Sequence, residues 1–204
     1  MKNLGCVVTF LSAFAFTFNA VGQTEQGKIV ASGATNLSAN FGSSKSEYNG
    51  NKNAENKTTS FGLEFSGAYF IIDNLAMGIF LLEDYYSTKN TEGVNDYKNS
   101  TNTFIIGPMI RYYLGVGAFK PFGQFEIGAG SSKAKEVIGS DTEQTKDKIF
   151  AWALSVGTAY FVAENISLDT ILGYGSAKLT DGNDSNASVK AGGFDISIGV
   201  SIFF

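Results

Sequence analysis

An all-β fold of eight antiparallel strands is predicted by three features of this 204-residue sequence. Glycine is abundant, with 24 residues, proline is limited to 2, and aromatic residues make up 14% of the chain. Apolar residues recur at every second position within short segments. Short turn-forming stretches alternate with longer polar stretches. Together these features favour many strands joined by turns.

The period of two is clearest near the end of the chain. One face of this segment carries the apolar residues Phe194, Ile196, Ile198, Val200, Ile202 and Phe204. The other face carries Asp195, Ser197, Gly199 and Ser201. A helix would need apolar residues at three- and four-residue steps, which this segment does not supply. The segments Phe61–Tyr69 and Phe150–Tyr160 repeat the pattern, which indicates strands.

Turns and polar stretches follow each other in a regular order. The short turns are Ile72–Asn74, Leu114–Ala118 and Ala163–Asn165. The polar stretches are Ser43–Thr58, Ser87–Asn102, Ser131–Asp147 and Ala177–Ser188. The order predicts hairpins with a short turn at one end and a long loop at the other, over strands at 27–42, 58–71, 75–86, 103–114, 119–131, 148–162, 166–177 and 190–204. An even number of strands places both chain ends on one side, beside the short turns.

The first 22 residues have the pattern of a secretory signal peptide. Lys2 supplies a positive charge, an apolar run follows from Leu4 to Phe18, and small residues stand at Ala20 and Gly22. The run is shorter than the ~20 residues that a spanning helix needs. We therefore expect a cleaved signal peptide over residues 1–22 and a barrel over residues 23–204. The single cysteine, Cys6, lies inside the predicted signal peptide.

Two observations favour an apolar face that points outward to lipid. The opposite face is crowded with Gly, Ala and Ser, which would make a poor soluble surface. Aromatic residues also cluster near strand ends, as in the girdles of membrane barrels. These clusters are Tyr69/Phe70, Tyr85/Tyr86, Tyr112/Tyr113, Tyr160/Phe161 and Phe203/Phe204. The prediction is an up-and-down transmembrane β-barrel in the outer membrane of a Gram-negative bacterium. A soluble lipocalin-like binding barrel, with its apolar face inward, is the alternative.

Several segments resemble the outer-membrane β-barrel-domain family, which includes the membrane domain of OmpA and the small barrel OmpX. The resemblance rests on the predicted signal peptide and on Arg111–Tyr113, Pro121–Gly128 and Ser201–Phe204. It implies outer-membrane lipid as the surroundings and periplasmic chaperones as partners during biogenesis. In that family a C-terminal aromatic is part of the assembly signal. Phe204 matches that position, which implies the barrel-assembly machinery as a partner.

Most enzyme and metal chemistry is disfavoured by composition. The chain has no histidine, and its only cysteine is Cys6. Neither a Ser-His-Asp nor a Cys-His nucleophile can be assembled, and zinc sites of the usual His/Cys kind are excluded. The loop Asp181–Asn186 has neither the glycine at its sixth position nor the later glutamate that an EF-hand loop needs. A net charge of −4 does not fit nucleic-acid binding. We expect no catalysis, no cofactor and no metal site.

Six charged residues are predicted to face the barrel interior: Arg111, Glu64, Glu126, Asp169, Asp84 and Asp195. Arg111 is the only arginine in the chain. A buried guanidinium needs carboxylate partners, which predicts a structural network of Arg111 with Glu126, Glu64 or Asp169. An eight-stranded barrel is about filled by its own side chains, so a packed, watery interior is favoured over a narrow conducting channel. The predicted role is structural or surface interaction through four displayed polar loops, with an extracellular partner that the sequence does not identify. A narrow, porin-like channel is the alternative.

Overall fold

The computed structural model describes residues 23–36, 42–48, 51–92, 95–115, 117–138, 141–182 and 187–204. The predicted signal peptide and four residues of the loop Asp181–Asn186 lie outside this part of the chain. The described residues form strands and turns, and they contain no helix long and apolar enough to cross a bilayer.

The strands lie in one ring. They are β1 (Ile29–Asn36), β2 (Gly42–Tyr48), β3 (Asn51–Ile72), β4 (Leu75–Glu92), β5 (Asn95–Tyr113), β6 (Phe119–Ile138), β7 (Asp141–Ala163), β8 (Ile166–Thr180) and β9 (Ser188–Phe203). Consecutive strands from β2 to β9 pair antiparallel, and β1 closes the ring by pairing with both β3 and β9. β1 and β2 pair with successive parts of β3, so they share one position in the ring. The predicted eight-stranded up-and-down barrel is therefore confirmed.

The three predicted short turns are confirmed at one end of the barrel. Ile72 pairs with Leu75, and Ala163 pairs with Ile166, which leaves two-residue turns. Asn74 has a positive φ of 67°, a conformation that asparagine tolerates better than most residues. The third turn contains Gly115, with a φ of 80°.

The start of β1 and the last residue lie together at the short-turn end, as the even strand count predicts. The Ile29 amide donates to the Phe204 carbonyl at 3.1 Å, and the Phe204 amide donates to the Ile29 carbonyl at 2.9 Å. These hydrogen bonds hold Phe204, the predicted assembly signal, at the end of the closing seam between β1 and β9.

Among the side chains that the structure describes, the apolar face of the strands points outward. The large exposed side chains include Phe61, Phe65, Met77, Ile79, Ile106, Phe125, Trp152, Leu154, Val156, Leu172, Ile198 and Phe204. This confirms the predicted lipid face. The soluble lipocalin-like alternative is wrong, because it requires the same residues to line the interior.

The strand-end aromatic pairs were expected to lie at the membrane surface, and in most pairs this is wrong for one of the two residues. Tyr69, Tyr112 and Phe204 are exposed outside the barrel, but Phe70, Tyr113 and Phe203 are almost completely buried inside it. Phe161, beside Tyr160, is buried as well. The reason is geometric, since consecutive residues of a strand point to opposite faces of the sheet. Tyr85 and Tyr86 alone among the five pairs are both exposed.

The predicted long loops are also largely wrong, because most of their residues extend the strands. The β4–β5 ladder continues through the stretch Ser87–Asn102 to the pair Glu92 and Asn95. The β6–β7 ladder continues through Ser131–Asp147 to the pair Ile138 and Asp141. The lipid-facing part of each strand pair sets the register, and the same register continues into the polar part. It can continue because the hydrogen bonds between strands come from the backbone and do not depend on apolar side chains.

Candidate functional site

Five buried rings fill the short-turn end of the interior, and we call them the aromatic layer: Phe70, Tyr113, Phe122, Phe161 and Phe203. Phe161 and Phe203 have ring centroids 4.9 Å apart, and those of Tyr113 and Phe122 are 5.5 Å apart. The rings come from five different strands. Buried alanines, such as Ala76 on β4 and Ala159 on β7, leave the space in which the rings meet. The layer blocks the barrel axis.

The segment just before β1 lies across the same end. Gln23 and Thr24 are buried there, and the Gln23 side-chain amide donates to the Glu164 backbone carbonyl. Lys120, which is buried inside β6, donates from Nζ to Thr24 Oγ1 at 2.9 Å. Thr24 Oγ1 in turn donates to Asn74 Oδ1 at 2.6 Å. The short-turn end therefore has two closures, one of packed rings and one of polar contacts.

Arg111 lies beside the aromatic layer and is 1% exposed. Its Nε donates to Gln124 Oε1 at 2.5 Å, and its Nη1 donates to the Tyr113 hydroxyl at 3.2 Å. Nη1 also lies 3.7 Å from Asp169 Oδ2, which makes a buried ion pair. The guanidinium carbon lies 4.5 Å from the centroid of the Phe122 ring, a cation–π distance. Arg111 thus joins the rings to the polar interior.

Asp169 is held by hydroxyl groups as well as by Arg111. Ser167 Oγ donates to Asp169 Oδ1 at 2.6 Å, and Ser201 Oγ donates to Oδ2 at 2.5 Å. Ser201 Oγ is also 2.6 Å from Ser32 Oγ. A buried carboxylate with a cation and two hydroxyl donors is well compensated for its loss of water.

The six charged residues predicted to form one network are arranged along the barrel. Among the ion pairs of the described residues, Arg111 has one with Asp169, at 3.7 Å, and none with the other four carboxylates. Glu126 is linked to Arg111 indirectly, because Gln124 Nε2 donates to Glu126 Oε1 at 2.8 Å. Glu64 lines the interior cavity together with Glu126. Asp84 and Asp195 line the next part of the interior, towards the long-hairpin end, where Asp195 accepts from Ser197 Oγ at 3.2 Å.

Sequence reasoning missed the uncharged members of this network and the second interior cation. These are Gln124, Tyr113, Ser32, Ser167, Ser201 and Lys120. Strand parity could have found them, since Tyr113 and Arg111 are two positions apart, as are Gln124 and Glu126. The serines, Gln124 and Tyr113 carry no charge that would mark them in the sequence, and Lys120 follows the turn Leu114–Ala118, where an exposed lysine is ordinary.

Beyond Arg111 and Asp169 the interior is hollow, with a cavity of about 550 Å³. Its lining combines four carboxyl groups with apolar walls: Glu64, Asp84, Glu126, Asp195, Phe80, Leu82, Ile105 and Ile149. The space exists because Glu126 stands in register with Ala153, Gly175 and Gly193, which have small side chains or none. A Cβ atom added at Gly193 would meet no atom within 4 Å. The prediction that side chains fill the barrel interior therefore holds only at the short-turn end.

The carboxyl groups of the cavity do not converge on a point. Within the part of the chain that the structure describes, no group of three or more acidic, histidine or cysteine side chains is placed to hold a metal ion. What the interior provides is a closed base, an ion pair and a cavity towards the long-hairpin end.

Comparison with known sequences identifies the barrel. Residues 7–203 match the family described as outer membrane protein beta-barrel domain. The chain belongs to this family. Its place is the outer membrane, in agreement with the outward apolar face.

One relative is a putative adhesin, RC1281, of Rickettsia conorii. It is 27% identical over 154 residues, which cover 66% of this chain and 62% of that protein. The match thus spans less than two thirds of the relative's length.

Solved structures with a similar fold include Neisserial surface protein A, at 19% identity and a TM-score of 0.45, covering 88% of this chain and 98% of that one. Ail of Yersinia pestis has 20% identity and a TM-score of 0.44, covering 88% and 99%. The Escherichia coli outer membrane protease OmpT has 15% identity and a TM-score of 0.46, covering 87% and 79%. At these identities the likeness concerns the fold alone.

Proposed function

We propose that this protein is a non-enzymatic surface-interaction barrel, which holds polar hairpins rigidly outside the membrane. The observation that carries the proposal is the length of the polar ladders. In the β6–β7 hairpin, pairing runs unbroken from Ser131 and Lys148 to Ile138 and Asp141. At ~3.3 Å per residue, this polar ladder is roughly 25 Å long. The continuous run of apolar outward positions ends before it, at Ala129 and Phe150.

The surface of these extensions is polar and accessible. Every side chain from Asp141 to Lys146 is exposed. A paired ribbon loses less conformational freedom on binding than a loose loop does, which favours its use as a contact surface. The name of the Rickettsia conorii relative, a putative adhesin, supports the same role.

The closed base argues against the channel alternative. The aromatic layer and the Gln23–Thr24 segment both lie across the axis at the short-turn end. An ion that entered the cavity from the long-hairpin end would meet packed rings, with Arg111 beside them. The absence of histidine, together with a single cysteine that lies in the predicted signal peptide, supports a role without catalysis.

Shortening the two extended hairpins tests the proposal. Residues 90–97 of the β4–β5 hairpin and 136–143 of the β6–β7 hairpin are each replaced by Asn-Gly, which forms a tight hairpin turn. We expect a non-adherent Gram-negative host that displays the full chain to bind epithelial monolayers or immobilised matrix proteins. The shortened barrel should reduce binding to the level of the empty host, because the contact surface is removed.

The matched control is Asp73→Asn with Asn74→Gly, which alters a turn at the opposite end of the barrel. Heat-modifiable migration on gels verifies that all variants are folded. If the shortened barrel binds as well as the full chain, or if the full chain adds no binding to the host, the proposed role is wrong.

A further inference from the structure

One wall of the interior cavity is a row of apolar side chains that crosses five strands. Leu82 on β4 stands in register with Ile105 on β5. Past Gly130 on β6, which has no side chain, Ile149 on β7 stands in register with Leu179 on β8. The four apolar side chains all line the cavity, and we call them the apolar strip.

The apolar strip borders open space, in contrast to the aromatic layer, whose rings pack against each other. It belongs to a second apolar cluster of the interior, which also contains Phe80 and Met109. Water in contact with such a wall finds no hydrogen-bonding partner on it, so this side of the cavity favours an apolar occupant. A volume of about 550 Å³ lies within the range of small-molecule sites, which combine mostly apolar walls with a few polar groups.

The charged part of the lining is acidic throughout. Its carboxyl groups come from four different strands, β3, β4, β6 and β9, and belong to Glu64, Asp84, Glu126 and Asp195. No lysine or arginine is among the described residues that line the cavity. Arg111 has its ion pair with Asp169, which lies outside this lining. Because carboxylates in a confined space are stabilised by cations, the cavity favours an occupant that is positively charged as well as apolar.

We propose that the cavity binds an amphiphilic organic cation, a molecule with one or more protonated amines on an aliphatic or aromatic body. The ammonium groups contact the carboxyl groups, and the body covers the apolar strip. The carboxyl groups are spread over four strands and do not converge, which suits an extended amine better than a metal ion. The aromatic layer closes the base, so the ligand enters and leaves at the long-hairpin end. This site lies inside the barrel and is separate from the outer surface of the polar hairpins.

The probe for this site is dansylcadaverine, a primary amine joined by an aliphatic chain to an apolar fluorophore. The full chain is reconstituted in phosphatidylcholine nanodiscs, and empty nanodiscs correct for partition of the probe into lipid. We expect a saturable rise in fluorescence anisotropy above this blank. Hexylamine should displace the probe. Hexanol lacks the charge and tetramethylammonium lacks the chain, so each should compete at least about ten-fold less well.

Two variants change the charge and the space of the cavity separately. Asp84→Asn with Asp195→Asn removes two carboxylates at nearly constant size and should weaken probe binding by about ten-fold. Gly193→Phe places a ring in the cavity, where a Cβ atom at Gly193 meets no atom within 4 Å, and should abolish binding. The matched control is Glu83→Gln, because Glu83 precedes Asp84 on β4 and has the opposite, outward strand parity. Heat-modifiable migration verifies that all three variants are folded.

Several results would overturn the proposal. Equal competition by hexanol and hexylamine would show a neutral apolar pocket, and equal competition by tetramethylammonium would show that the apolar strip takes no part. Undiminished binding in Gly193→Phe would place the probe outside the cavity. A loss in Glu83→Gln as large as that in the double asparagine variant would attribute the effect to surface charge. Displacement of the probe by calcium chloride at lower concentration than by hexylamine would reassign the carboxyl groups to a metal ion.

Discussion

Replacing Arg111 by methionine is expected to lower the free energy of unfolding by about 3–5 kcal/mol. The change removes the cation 3.7 Å from Asp169 and leaves that buried carboxylate with hydroxyl donors only. It also removes the donor to Gln124, through which Glu126 is linked to the same cation. The measurement is urea unfolding in lipid vesicles, followed by Trp152 fluorescence and by heat-modifiable migration.

The double variant Arg111→Met with Asp169→Asn separates loss of charge balance from loss of packing. If the uncompensated carboxylate is the main cause, the double variant should recover part of the lost stability. Arg111→Lys should fall between wild type and Arg111→Met, because it keeps a charge but not the planar fork of donors. A stability of Arg111→Met equal to that of wild type would contradict the assignment of Arg111 as the anchor of the interior.

Replacing Phe161 by alanine is expected to lower the free energy of unfolding by about 3–5 kcal/mol. Phe161 is completely buried, and its ring contacts Phe203 at a centroid distance of 4.9 Å. Truncation leaves a void in the aromatic layer and removes the ring beneath Lys120, whose Nζ lies 5.8 Å from its centroid. The same urea titration measures the effect.

The matched control is Val162→Ala, the next residue along β7, whose side chain is 39% exposed on the lipid face. Lipid fills the space that the Val162→Ala side chain leaves, so the effect of this control on stability should be far smaller.

Planar-bilayer recording tests whether the barrel is closed. Wild type and Arg111→Met should show no reproducible conductance, because the aromatic layer remains in both. A steady conductance of the wild-type protein would contradict closure of the barrel.

The features that follow strand parity could be predicted from the sequence. Trp152, Leu154 and Val156 alternate with small residues, which was enough to place them on the lipid face. The same parity placed Arg111 and Asp169 inside the barrel. The short turns carry their own chemistry, as Asn74 shows with its positive φ.

The remaining features depend on contacts between distant strands. Phe70 and Phe203 are far apart in the chain, and nothing near either residue indicates that their rings lie 6.3 Å apart in one layer. The role of Gln124 between Arg111 and Glu126 depends on the side chains it reaches and not on its residue type. The polar ladder extensions could not be predicted, because a polar composition is typical of loops and also of strands that continue beyond the membrane.

The central claim is a membrane-facing barrel with its long hairpins outside the cell and its short turns in the periplasm. Single cysteines at Gln144, Lys28 and Leu154, in a Cys6→Ser background, test it with a membrane-impermeant maleimide on intact cells. We predict labelling of Gln144→Cys on intact cells, of Lys28→Cys only after the outer membrane is permeabilised, and of Leu154→Cys in neither case. Labelling of Lys28→Cys or Leu154→Cys on intact cells would contradict the orientation or the lipid face.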